Sequence, residues 1–128
     1  MKEIDRLIKA ARKASNFAYA PYSKFKVGAA LLTKSGIIYS GANVENASYG
    51  LTVCAERIAL FKAVSEGKKD FRALAIYTKT KDFTTPCGAC RQVLMEFSPN
   101  LSIIIINASG KIKKFSLSKL LPHPFAKK

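Results

Sequence analysis

The chain has 128 residues, 48% of them hydrophobic and 23% charged, which suits one compact α/β domain spanning 1–128 and leaves no room for a second core. Its longest strongly apolar run, residues 101–106, falls far short of the roughly 20 residues that a membrane-spanning helix needs, so no membrane partner is expected. Twenty-two Lys and Arg against eight Asp and Glu give a formal charge of +14. That charge attracts polyanions, but it is scattered in short pairs such as Lys68-Lys69, Lys113-Lys114 and Lys127-Lys128. No aromatic-interleaved stripe accompanies it to stack bases, and no specific nucleic-acid partner is expected.

Residues 1–6 carry acids among apolar positions, unlike a secretory signal, which points to a cytoplasmic protein. Ile4, Leu7, Ile8, Ala11, Ala14 and Ala18 recur at helical spacing before Pro21, so residues 3–19 read as an amphipathic helix lying on one face of a sheet. Residues 25–33 and 37–40 are apolar and β-rich around Lys34-Ser35-Gly36, the pattern of a hairpin. Gly28 within the first of these strands suggests a close backbone approach or a bulge.

From 41 to 53 the sequence loses its period and becomes small and polar, as in a site-bearing loop. A second helix follows over 54–66, with Gly67 as its cap. Residues 72–80 read as a strand, 81–86 as a loop and 87–97 as a third helix stopped by Ser98-Pro99. The continuous β-branched run 101–107 predicts a strand buried on both faces. The short turn Ala108-Ser109-Gly110 makes the next strand, 111–115, antiparallel to it, before a short helix over 117–121. The order α-β-β-α-β-α-β-β-α, with two β-helix-β connections, predicts a three-layer α/β/α fold around a mixed five-stranded sheet.

This architecture brings the starts of the second and third helices together, and each start carries a cysteine. Three cysteines cannot all pair in intramolecular disulfides, and a cytosolic chain keeps thiols reduced. Cys54 with Cys87 and Cys90 can instead supply three thiolates to one zinc ion, leaving the fourth tetrahedral position open, as in catalytic rather than structural sites. Unpaired N–H groups at helix starts favour thiolates. Arg57, one turn after Cys54, can donate to a ligand sulfur and offset the excess negative charge. Glu56, two residues after Cys54, can face the open position as general acid and base.

Cys54-Ala55-Glu56 followed by Pro86-Cys87-Gly88-Ala89-Cys90 is the signature of zinc-dependent deaminases of nucleosides and nucleobases. The chain further resembles the cytidine deaminase family, in particular its small homotetrameric branch with three cysteine ligands. The resemblance runs through Ala20-Pro21-Tyr22-Ser23-Lys24-Phe25, Val27-Gly28-Ala29-Ala30-Leu31, Asn43-Val44-Glu45-Asn46-Ala47, Cys54-Ala55-Glu56-Arg57, Pro86-Cys87-Gly88-Ala89-Cys90-Arg91-Gln92 and Leu120-Leu121-Pro122.

What the resemblance implies is hydrolytic deamination of free cytidine or deoxycytidine in pyrimidine salvage, with one zinc per chain. It matches Asn43 and Glu45 to ribose binding, Phe25 to an aromatic beside the base, and the Ala55 N–H to the pyrimidine 2-carbonyl. It matches Phe125 to a C-terminal aromatic completing a neighbouring subunit's pocket, with Tyr49 also reaching across. Set beside this are a redox C-x-x-C pair, a structural site closed by His123, the only histidine, and deaminases of polynucleotides or of cytosine-containing nucleoside antibiotics.

Overall fold

The structure, a computed structural model, describes residues 2–126, so the Lys127-Lys128 pair lies outside it. Its elements run α1 (Lys2–Ser15), β1 (Val27–Thr33), β2 (Ile38–Ala42), a 3-10 turn (Tyr49–Leu51), α2 (Ala55–Ser65), β3 (Phe71–Thr78), α3 (Gly88–Met95), β4 (Ser102–Ile106), β5 (Ile112–Ser116) and α4 (Leu117–Leu120). The order is the one expected. The five strands form one mixed sheet in the order β2-β1-β3-β4-β5.

Only β3 and β4 are a parallel neighbouring pair; every other pairing is antiparallel. Of the two β-helix-β connections, therefore, the one through α3 joins neighbours. The one through α2 carries the chain over β1, which lies between β2 and β3. Period-2 alternation sorts the side chains onto two layers. Ala29, Leu31, Leu74, Ile76, Ile103 and Ile105 face α2 and α3 residues such as Ala59, Leu60 and Leu94. Their neighbours Ala30, Leu32, Ala75, Ile104 and Ile106 pack with Leu7 and Ala11 of α1. Each fully buried Leu or Ile contributes about 1.5–3 kcal/mol relative to exposure. The chain thus takes the expected α/β/α form.

Gly28 and Gly41 set how close the helices come to the sheet. A Cβ on Gly28 would lie 1.9 Å from the Ala11 carbonyl oxygen of α1, and one on Gly41 would lie 2.7 Å from the Ala59 nitrogen of α2. In both cases the neighbour is backbone, which cannot rotate away. Gly28→Ala is therefore expected to push α1 off the sheet and destabilise the fold by about 1–3 kcal/mol, read from the midpoint of urea unfolding.

Several boundaries differ from the sequence reading. The first helix ends at Ser15 rather than 19, because the main chain of Tyr19 leaves to pair with residues 43–45: its N–H donates to Asn43 O and its carbonyl accepts from Glu45 N–H, both at 2.9 Å. The first strand begins at Val27, after Lys24 takes a left-handed conformation (φ 62°). Its lead-in is held by the Asn43 side chain, which accepts from Val27 N–H and donates to Phe25 O. Gly41 and Ala42, assigned to the loop, extend β2 opposite Ala29 and Gly28. At the far edge of the sheet, β5 pairs only with β4, and exposed Lys113 and Lys114 lie on this edge strand, where charge discourages pairing with another chain.

Candidate active site

Two helix starts converge on one face of the sheet. Cys54 is the N-cap of α2 and Cys87 the N-cap of α3, both in extended conformation and neither using its side chain to cap the helix. Both sulfurs are therefore free to bind elsewhere, while the unpaired first-turn N–H groups leave positive potential around them. Cys90 lies one turn into α3, on the same face as Cys87 and fully buried. The sulfurs of Cys54 and Cys87 are 3.9 Å apart, and those of Cys87 and Cys90 3.4 Å. All three lie within 4.8 Å of one another.

These separations fit a single tetrahedral zinc, for which Zn–S bonds of about 2.3 Å place sulfurs roughly 3.8 Å apart. Electrostatics agree. The Arg57 Nη2 is 3.6 Å from Cys54 Sγ, and its Nε is buried with no hydrogen-bond partner among the described residues. A cation with a donor unspent, against the sulfurs, suits a site where three thiolates outweigh a divalent ion. The cluster by itself already favours a thiolate: Cys54 is pushed down to about 5, first by its hydrogen bond with Cys90 and also by Arg57, against the opposing effect of burial. Cys90, its partner, is pushed up. His123 is exposed and lies outside this cluster, so among the described residues the group that could hold a metal ion offers sulfur only.

Cys54 and Cys87 open onto a cavity of about 210 Å³, and Glu56 shares its wall. Glu56 is 6% exposed. Burial, reinforced by the nearby Cys54, pushes its carboxyl up to about 7, a poise suited to giving and taking protons near neutrality. Phe25, Asn43 and Ala55 line the same cavity. Thr52 also borders an adjoining hollow of about 380 Å³, walled by Tyr22, Ser23, Glu45 and Tyr49. There Glu45 accepts a hydrogen bond from the Ser23 hydroxyl, which chiefly holds its carboxyl below the usual range, aided by the Ser23 and Tyr22 N–H groups.

Most of the residues singled out from the sequence therefore line two hollows that share Thr52 in their walls. Phe125 does not line either one. Its backbone is clasped by the Gln92 side chain, and the residue is 81% exposed. Tyr49 is 74% exposed and meets the Tyr22 ring edge-on. The sequence reading missed Val27, Thr52, Thr84 and Thr85 in the cavity wall. For Thr84 and Thr85 a signal existed: they immediately precede Pro86-Cys87, so a pocket reached from Cys87 passes them.

Comparison with known proteins agrees with this geometry. Residues 1–106 match the family described as the cytidine and deoxycytidylate deaminase zinc-binding region. A cytidine deaminase of Sporosarcina psychrophila is 48% identical over 126 residues, 98% of this chain and 93% of that one. A cytidine deaminase of Halalkalibacterium halodurans is 54% identical over 120 residues, covering 93% and 91%. The crystal structure of cytidine deaminase from Burkholderia pseudomallei superposes with a TM-score of 0.91 at 49% identity, over 94% of this chain and 98% of that one.

Proposed function

Because the chain belongs to the zinc-binding cytidine and deoxycytidylate deaminase family, we propose that it hydrolyses the 4-amino group from free cytidine or deoxycytidine, releasing ammonia and the uracil nucleoside. The observation that carries this reading is the meeting of three sulfurs and one buried carboxylate on a single small cavity. Cys54, Cys87 and Cys90 would hold one zinc, which supplies Lewis acidity and brings the pKa of water toward about 7.

The chain's own residues do the rest. Glu56 takes a proton from the water that attacks C4 and delivers it to ring nitrogen N3. It then moves the second proton from the new C4 hydroxyl to the amino nitrogen, which leaves as ammonia while C4 becomes a carbonyl. Atoms balance, and Glu56 ends as it began. The base fits the hollow beside Phe25, with the Ala55 N–H, free at the helix start, donating to the 2-carbonyl. Asn43 of this hollow and Glu45 of the adjoining one, whose walls share Thr52, hold the sugar. The Asn43 amide is fixed by Val27 and Phe25, yet each of its polar atoms can make a further hydrogen bond.

On the same reading the chain is one cytoplasmic deaminase domain acting in pyrimidine salvage as a homotetramer. The exposed Phe125 and Tyr49 then meet a neighbouring subunit's site. Among the described residues no helix is long and apolar enough to cross a membrane.

The test is direct. Pure protein with measured zinc content is incubated with cytidine, deoxycytidine and a cytosine-bearing oligonucleotide, following ultraviolet absorbance and ammonia. Loss of the free nucleosides with one ammonia each, and no change in the oligonucleotide, is expected. Stoichiometric zinc with untouched nucleosides would overturn the reading.

A further inference from the structure

The loop that delivers Cys87 to the site has no ladder to hold it. Residues 79–86 form neither helix nor strand, and Pro86 has no N–H to donate. Its first half is tied down by the β4–β5 turn, where Ala108 N–H donates to Thr80 O and the Asn107 amide to Lys81 O. Over residues 83–86 the hydrogen bonds found among the described residues come from one side chain, Arg91. Its Nε donates to Pro86 O at 2.7 Å and its Nη2 to Thr85 Oγ1 at 3.1 Å. The third bond runs elsewhere: Nη1 donates to Leu120 O at 2.8 Å, at the end of α4.

That end is firm. Leu117 is fully buried and its N–H bonds Leu101 O beside β4. Arg91 therefore ties three elements with one rigid, planar group: the helix that carries Cys90, the loop that precedes Cys87 and a C-terminal helix docked on the core. A guanidinium can bridge three acceptors in fixed directions, whereas an ammonium on a flexible stem cannot.

We infer that Arg91 is a positioning residue, which holds the Thr84–Thr85 wall and Cys87 in place by bracing them against α4. The Thr84–Thr85 wall borders the cavity, so a slack loop would misplace both a sulfur and the surface against which the base reacts. Its effect on turnover rests on the function proposed above; its effect on the sulfur cradle does not.

The test uses Arg91→Lys, which keeps the charge, with Thr85→Val removing a single acceptor. Three quantities are read: the rate of zinc release to a chelator, kcat and KM per zinc-loaded chain on cytidine, and Tm. Arg91→Lys is expected to release zinc about 10-fold faster, in line with the loss of ligand-supporting contacts at metal sites. It is also expected to lower kcat about 10- to 100-fold with KM changed less than about threefold, the mark of lost preorganisation. Thr85→Val should move the same quantities in the same direction by a smaller factor.

A mere structural staple would lower Tm and leave zinc release and kcat per loaded chain within about twofold of wild type, and that result would overturn the inference. If Arg91→Lys does not fold, Thr85→Val decides on the same readouts. If the wild-type protein deaminates no cytidine, the proposed function fails, while zinc release still judges Arg91.

Discussion

Glu56→Gln is expected to bind one zinc per chain and to lose about 10²- to 10⁴-fold in turnover, the range that a positioned general acid and base supplies. The substitution keeps shape and removes only the capacity to carry a proton. Its side chain is nearly buried among Cys54 and the cavity wall, so an amide fills the same volume. None of the three sulfurs is touched. Burial also raises the Glu56 carboxyl, which means the fold gains nothing from ionising it, and the amide should leave Tm no lower than wild type. Zinc by elemental analysis, ammonia release and thermal unfolding on the same preparation check the three parts. Turnover within tenfold of wild type would remove Glu56 from the mechanism, whatever the zinc content.

How much of this was legible in the sequence depends on whether a feature is local. The cysteines were legible because thiolate ligation limits spacing: Cys87 and Cys90 must share a helix face, and Cys54 stands at the start of another apolar-periodic segment with Glu56 and Arg57 one turn inside. The run at 101–107 announced a strand buried on both faces because β-branched residues without alternation have few other uses. In the structure, Ile103 to Ile106 are each at most 1% exposed.

What local pattern could not supply is anything set by a distant partner. The first helix looked longer because Ala18 continues its apolar stripe, yet Tyr19 pairs its backbone with residues 43–45. Gly41 looked like loop composition, although its lack of a side chain is what lets α2 lie on β2. The position of β1 between β2 and β3 follows from pairing preferences across the whole sheet, which no single segment records. Arg91 and Gln92 were visible as residues, but their bonds reach 29 and 33 positions along the chain.

Cys87→Ala is the complementary experiment, because it is expected to abolish turnover by a different route. Cys87 is exposed and makes no capping bond to α3, so removing its sulfur empties no core volume and frees no helix end. The fold's hydrophobic layers should survive. The metal should not: Cys54 and Cys90 alone leave two protein ligands where catalytic zinc needs three, and the binding free energy that couples metal to folding falls accordingly. Zinc below about 0.1 per chain after desalting, no ammonia from cytidine and a lower Tm than the zinc-loaded wild type are expected together. Set against Glu56→Gln, which is expected to lose most of its turnover with its metal in place, this pair separates the ion from the proton carrier. If Cys87→Ala instead retained stoichiometric zinc, the three-sulfur cradle would be wrong, and the convergence of the two helix starts would need another explanation.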